Sequence, residues 1–234
     1  MKRKEFLSGV KAALPIVFGY IPVGMAFGVL AAQIGLTVSE VFFMSLLVYA
    51  GSGQFVAVSL MSAGASAVAI IFTTFLVNSR HILMSAALVP HVRNIPRWSL
   101  PLISYGITDE TFAVAMGEVT KENKGELFFL GLNITSQSFW ILSTVIGASI
   151  GNIIPDPRAF GLHFAMPAMF IALLIMQIKN KKGILLAMLA IGLSILFKSI
   201  LPGNWNIILA TILTATIGVM IEKWTVKYSP SSSG

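Results

Sequence analysis

Eight long apolar stretches, separated by short polar or charged breaks, constrain this chain more than any other feature of its sequence. They lie at residues 12–32, 40–61, 66–89, 101–117, 127–150, 159–178, 183–201 and 206–222. A bilayer crossing needs about 20 mostly apolar residues, and only 11% of the 234 residues are charged. We therefore predict an all-α polytopic membrane protein with seven or eight spans, in which residues 1–228 form a single transmembrane transport domain and residues 229–234 are a tail of linker composition.

The basic residues predict the orientation of the chain. If the N-terminus is cytoplasmic, eleven fall on the cytoplasmic side, at Lys2, Arg3, Lys4, Lys11, Lys121, Lys124, Lys179, Lys181, Lys182, Lys223 and Lys227. Four fall on the other side, at Arg93, Arg97, Arg158 and Lys198. This bias favours an inner-membrane protein with both termini inside, so the net charge of +7 reflects topology and we expect no nucleic-acid partner. If 40–61 or 101–117 is broken or re-entrant, seven spans remain and the loop 90–100 moves inside.

The segment Tyr49-Ala50-Gly51-Ser52-Gly53-Gln54 interrupts the second apolar stretch with glycines and polar side chains. Glycine inside a helix costs about 1 kcal/mol relative to alanine, and backbone groups freed at membrane depth must find partners. We predict a helix break at Gly51 and Gly53, with a half-helix from Ser52–Gln54 whose N–H groups bind an anion such as a substrate carboxylate. The alternative is a tight helix crossing in which Gln54 bonds to a neighbouring helix.

The third stretch carries Asn78, Arg80 and His81 near its centre, where a charge is costly and usually marks function or a buried ion pair. At 100° per residue, Asn78 and His81 share one face and Arg80 lies roughly opposite. We therefore predict that Asn78 and His81 line the substrate path, and that Arg80 pairs with an acid on another helix. His81 is a candidate proton carrier; the alternative is a neutral imidazole in a static hydrogen bond.

Two adjacent acids, Asp109 and Glu110, lie at the midpoint of the fourth stretch. Neighbours on a helix point 100° apart, so one acid is predicted to pair with Arg80 while the other titrates. The alternative is that 101–117 is only partly inserted and both acids are solvated.

The fifth stretch carries a polar stripe at helical spacing, formed by Asn133, Gln137, Trp140 and Thr144. We include Asn133 and Gln137 among the candidate substrate-binding residues, although hydrogen bonding between helices explains the stripe equally well. Small residues form two further faces, Gly24/Gly28/Ala32 and Ser143/Gly147/Gly151. Ordinary helix packing accounts for such faces, but together they favour a partner subunit.

Residues 50–61 align without gaps with residues 165–176 at four apolar or aromatic positions. Such a match would pair the second span with the sixth in two four-helix halves. An internal repeat and an unrepeated bundle both stay open.

Five segments together resemble the AzlC family of azaleucine-resistance and branched-chain amino acid permeases. They are residues 15–28, Ala50–Phe55, Asn78–His81, Asp109-Glu110 and Leu162–Phe170. The resemblance implies export of leucine, isoleucine and valine, with methionine and analogues as further candidate substrates, together with a small membrane subunit of the AzlD type. At one position the chain departs from the family, which more often has an aspartate where His163 stands. An acid that binds substrate ammonium or couples transport in relatives would be replaced here by an imidazole.

We therefore predict a secondary, proton-coupled exporter. The chain has no G-x-x-x-x-G-K-[ST] loop and no cysteine, so we expect neither ATP hydrolysis by the chain itself nor thiolate chemistry, and no cofactor, metal or enzymatic activity. A passive channel is the first alternative, because broken helices and a polar midplane serve a channel equally well. An intramembrane enzyme using His81 with Asp109 or Glu110 is the second, without an H-E-x-x-H or G-x-S-x-G motif to support it.

Overall fold

The computed structural model describes residues 2–119, 124–151, 181–200 and 205–228, with isolated residues between 153 and 180. Within these residues all regular elements are helices, which confirms the all-α prediction. The helices are α1 (Lys2–Gln33), α2 (Val38–Leu47), α3 (Gly51–Ser62), α4 (Ala67–Asn78), α5 (Arg80–Leu88), a 3-10 turn (Val89–His91), α6 (Leu100–Tyr105), α7 (Asp109–Val119), α8 (Glu126–Gly151), α9 (Lys181–Ile200) and α10 (Trp205–Tyr228). The chain forms two compact units, Met1–Ile171 and Ala172–Gly234; a single transport domain stays a prediction.

Four stretches among the described residues are long and apolar enough to cross a bilayer. They are Lys2–Gln33, Ala67–His91, Glu126–Gly151 and Lys181–Ile200. Two others, Val38–Leu47 and Ile212–Ile221, are apolar but shorter. The predicted sixth span at 159–178, most of the 165–176 repeat segment and His163 lie outside the described residues.

Helices α1 and α8 form the most extensive packing in the first unit. Their backbones approach so closely that a Cβ atom at Gly28 would lie 2.1 Å from the carbonyl oxygen of Thr144, and one at Gly147 would lie 2.2 Å from that of Met25. Backbone cannot move aside as a flexible side chain can, so these positions accept only glycine. The pair is therefore the rigid frame of the unit.

The two small-residue faces meet each other inside this pair. A Cβ atom at Gly24 would collide with the side chain of Ser143, and one at Gly151 would lie 2.7 Å from the Cβ of Ala32. The interpretation of these faces as surplus surface for a partner is therefore wrong, because packing within the chain covers both.

The second apolar stretch is broken, as predicted, but earlier than the two glycines. Helix α2 begins at a capping box of Thr37 and Glu40 and ends at Leu47. The backbone of Tyr49 then adopts a φ of 40°, in the left-handed region that usually ends a helix at glycine, and α3 begins at Gly51. At about 1.5 Å per residue, neither half crosses a bilayer alone.

The fourth apolar stretch is broken as well. Helix α6 ends at Tyr105, and α7 begins at Asp109 after Gly106, Ile107 and Thr108. A Cβ atom at Gly106 would lie 2.2 Å from the amide nitrogen of Asn133, so α8 presses against this break. The two interruptions bring half-helix ends into the middle of the first unit, where no continuous helix would place them.

The third stretch bends at Ser79, which separates α4 from α5. The N–H of Ser79 bonds to the carbonyls of Phe75 and Leu76, and the N–H of Ile82 bonds to Ser79 at 3.1 Å. The bonds from Ser79 to Leu76 and from Ile82 to Ser79 reach the third residue back, as in a 3-10 helix. The 100° rule therefore does not hold across Ser79.

The second unit contains α9 and α10, which pack on each other. A Cβ atom at Gly218 of α10 would lie 3.2 Å from the Leu186 side chain of α9, a tight but adjustable contact. The described residues of α9 are all partly or fully exposed. An apolar helix of this kind suits a lipid environment.

We expect Gly28→Ala to destabilise the protein by about 1–3 kcal/mol, the usual cost of overpacking, because the new methyl group meets backbone on α8. Gly19→Ala is the matched control in the same helix, since nothing lies within 4 Å of its Cβ position. Thermal melting of both purified variants in detergent tests this. Equal melting temperatures would contradict the close α1–α8 contact.

Candidate functional site

The start of α3 is a buried helix N-terminus without a side-chain cap. Its N-cap residue, Ala50, makes no side-chain hydrogen bond, and Ala50 and Ser52 are only 2% and 3% exposed. The first N–H groups of any helix lack partners within the helix and carry part of its positive dipole. This end of α3 is therefore built to receive an acceptor or an anion.

The start of α7 contrasts with it, because two threonines cap it. The N–H of Thr108 donates to the Thr111 hydroxyl at 2.7 Å, and the N–H of Thr111 donates to the Thr108 hydroxyl at 3.2 Å. This reciprocal pair satisfies donors that α3 leaves open. Of the two half-helix starts, only α3 lacks a side-chain cap.

Arg80 lies between these two helix starts. Its guanidinium forms an ion pair of 2.8 Å with Asp109, the side chains of Arg80 and Asp109 being 25% and 14% exposed. The same terminal nitrogen contacts the hydroxyl of Ser52. The Nε of Arg80 is buried and has no hydrogen-bond partner. Arg80 thus joins the starts of α3, α5 and α7 and keeps one donor free.

Asn78 lies beside the first turn of α3. A Cβ atom at Gly53 would lie 2.6 Å from Oδ1 and 2.8 Å from Nδ2 of Asn78, and this Oδ1 is buried without a partner. The expectation that Arg80 points away from Asn78 is therefore wrong, since both contact the start of α3. The turn at Ser79 is the physical reason.

Glu110 contacts a different neighbour from Asp109. It accepts a hydrogen bond of 2.9 Å from the Tyr20 hydroxyl of α1, and Tyr20 is also 2.8 Å from the Thr108 hydroxyl. His81 lies close enough to Arg80 and Glu110 to interact with both electrostatically. The two acids thus face different neighbours, as their adjacent positions on a helix require.

Gln54 belongs to a fully satisfied buried network. Its amide nitrogen donates to Ser45 at 3.1 Å, and its oxygen accepts from the Trp140 indole at 2.9 Å. Ser45 in turn lies 2.9 Å from the Thr144 hydroxyl. The side chain of Gln54 is 0% exposed, so it links α3 to α2 and α8 and offers no free atom to a ligand in this conformation.

Asn133 and Gln137, one turn apart on α8, support the two helix breaks. Asn133 donates to the carbonyl of Ile103 at 3.1 Å, and Gln137 donates to the carbonyl of Leu46 at 3.3 Å. Each break interrupts the helical bonding that these carbonyls would otherwise have. The Tyr105 hydroxyl also contacts the Leu46 carbonyl and lies 2.6 Å from the amide nitrogen of Gln137.

The structure thus brings Ser52, Gly53, Asn78, Arg80 and Asp109 together at the start of α3, with Gly51 opening that helix. Two tyrosines that sequence reasoning missed, Tyr20 and Tyr49, complete the surroundings. Tyr49 is 2% exposed and its hydroxyl has no partner. Within the described residues no group of three His, Asp or Glu could hold a metal. The arrangement offers the positively polarised N–H groups of α3 and the Arg80–Asp109 ion pair to a small polar ligand.

We expect Arg80→Leu to destabilise the protein by about 3–5 kcal/mol, because Asp109 is left as an uncompensated charge. Arg80→Leu/Asp109→Leu should recover part of that loss, whereas the control Arg80→Leu/Glu110→Leu should not. Membrane abundance and melting of the full-length variants measure this. Equal recovery in both double variants, or in neither, would contradict the ion pair.

Comparisons with known proteins identify the family of this chain. The family model described as AzlC protein matches residues 15–154, more than half of the chain. A membrane protein of Helicobacter pylori is 31% identical over 224 residues, covering 94% of this chain and 97% of its own. "Inner membrane protein YgaZ" of Escherichia coli is 32% identical over 194 residues, covering 80% of this chain and 79% of its own.

A third relative is "Branched-chain amino acid transport protein AzlC" of Bacillus subtilis, 28% identical over 217 residues that cover 92% of this chain and 84% of its own. No solved structure matches. The matched residues include both helix breaks, Arg80 and its acid partner, and all of α8. The chain is a membrane protein that belongs to the AzlC family.

Proposed function

We propose that this protein is a secondary transporter that exports branched-chain amino acids, coupled to protons. The observation that carries the proposal is the uncapped, buried start of α3 beside Arg80 in a member of the AzlC family. Transporters of amino acids use the N-termini of interrupted helices to bind the substrate carboxylate. The name of the Bacillus subtilis relative supports the substrate class.

The substrate carboxylate binds at the first turn of α3. The N–H groups of Gly51, Ser52 and Gly53 provide donors with the favourable end of the helix dipole. The free Nε of Arg80 adds a charged donor without breaking the pair with Asp109. Asn78, whose amide lies against Gly53, offers its unpartnered Oδ1 as an acceptor to a hydrogen-bond donor of the substrate.

Gln54, Asn133 and Gln137 act indirectly. Each already makes a hydrogen bond within the protein, so their effect on substrate is to hold the broken helices in place. His81 takes part in proton handling, since imidazole is the side chain whose ordinary pKa lies nearest to neutral pH.

A small membrane subunit of the AzlD type assists this chain, and both termini face the cytoplasm. The small subunit is proposed from the resemblance to the family alone, because the small-residue faces pack against each other within this chain. The orientation of the termini rests on the bias of basic residues.

We expect cells loaded with leucine-containing dipeptides to release leucine fastest when they express both this chain and its small subunit. Efflux should fall when either is omitted, because neither alone completes the transporter. Labelled leucine in the medium measures the rate. Full efflux from the chain alone would contradict the partner, and unchanged efflux without the chain would contradict export. Counterflow of labelled leucine separates a carrier from a passive channel.

His81→Gln should preserve the fold and change the pH dependence of leucine efflux, because the variant keeps a polar side chain but cannot bind a proton. His91→Gln is the control, since His91 is exposed at the end of the 3-10 turn. Initial efflux rates across a pH series test this. Identical profiles for His81→Gln and wild type would remove His81 from proton handling.

A further inference from the structure

The charges of Arg80 at the start of α5 and of Asp109 and Glu110 at the start of α7 do not balance. Arg80 is always charged, and Asp109 compensates it at 2.8 Å. Glu110 is a second, half-buried carboxylate that has no paired cation among the described residues. The only hydrogen bond that Glu110 accepts from a described residue comes from the neutral hydroxyl of Tyr20.

The surroundings of Glu110 contain an unused polar group. The Tyr49 hydroxyl is buried and makes no hydrogen bond of normal geometry, although the Tyr20 hydroxyl and Glu110 lie close enough to interact with it. A buried hydroxyl without a partner is unfavourable unless a ligand completes it. This unpartnered group beside a surplus carboxylate points to a ligand that is missing from the protein alone.

The charged and titratable groups around Glu110 come from several elements. They are Tyr20 of α1, Tyr49 of the first break, Arg80 and His81 of α5, Tyr105 of α6 and Asp109 of α7. Helix α8 has no charged residue after Glu126. The carboxylate and the Tyr49 oxygen both accept hydrogen bonds, and the tyrosine rings attract cations. A primary ammonium group suits this environment.

We propose that Glu110 is the site at which a proton and the α-ammonium group of the substrate bind alternately, an inference that rests on the proposed function. The start of α3 takes the carboxylate of the amino acid, and Glu110 with Tyr49 takes its ammonium. When the zwitterion leaves toward the outside, Glu110 takes up one proton from that side. Cytoplasmic substrate displaces this proton inward, so one neutral amino acid leaves for each proton that enters.

The experiment uses everted membrane vesicles from cells that express the full chain with its small subunit. It measures the half-saturation concentration for leucine and the inhibition constant of 4-methylpentanoate, which lacks the ammonium group, between about pH 6 and pH 8. In wild type, acidification should weaken leucine binding, because protons compete with ammonium. It should strengthen 4-methylpentanoate binding, because a protonated Glu110 no longer repels this anion.

Glu110→Gln should remove both trends and raise the half-saturation concentration for leucine at least about tenfold, as expected for loss of a charge-assisted hydrogen bond. Its melting temperature should not fall, since the amide removes a surplus charge. Glu110→Asp should keep the opposite trends, and Tyr49→Phe should weaken leucine binding but leave 4-methylpentanoate unchanged.

Two outcomes overturn different claims. If wild-type vesicles exchange leucine and Glu110→Gln retains the pH trends with an unchanged half-saturation concentration, Glu110 is not the exchange site and the proposed function stands. If wild-type vesicles exchange no leucine, the proposed function falls, and the assignment of Glu110 falls with it.

Discussion

Water is absent at membrane depth, so backbone groups freed where a helix is interrupted need side chains as hydrogen-bond partners. The rest of this structure depends on those side chains. Asn133 and Gln137 are these partners at the two breaks, because each donates to a carbonyl that the break has freed. Both residues lie on α8, which is locked to α1 by backbone contacts at glycines. The rigid pair therefore holds both interruptions in one place, and the polar interior follows from that.

The two breaks are chemically different, and this difference separates hydrogen-bond donors from acceptors in the interior. Threonines satisfy the start of α7, whereas the start of α3 has no side-chain cap. Donors therefore collect at α3, and acceptors collect around Glu110 and Tyr49. A zwitterion has one orientation that suits both ends. Neither of these two regions would be polarised in this way if α2 continued into α3 and α6 into α7.

The sequence predicts the helical architecture, the existence of a break near Gly51 and the need of Arg80 for an acid. It does not predict which acid, since the choice depends on how α7 is rotated. It also misses Tyr49, because a tyrosine in an apolar run resembles an ordinary core residue, yet its left-handed backbone ends α2. The face assigned to Arg80 was wrong because the turn at Ser79 breaks the helical periodicity. Gln54 has the right residue type for a ligand contact, but its amide is already hydrogen-bonded to Ser45 and Trp140.

Arg80 explains how a strong ion pair and a substrate site can share one place. Its bond to Asp109 uses a terminal nitrogen, and that nitrogen also contacts Ser52. In the proposed site an entering carboxylate would meet the free Nε and the N–H groups of α3, so binding would not require separation of the buried charges, which costs about 3–5 kcal/mol. The carboxylate adds a third acceptor to a guanidinium that already has two. Because a planar guanidinium has five donors in a fixed geometry, arginine suits this position and lysine does not.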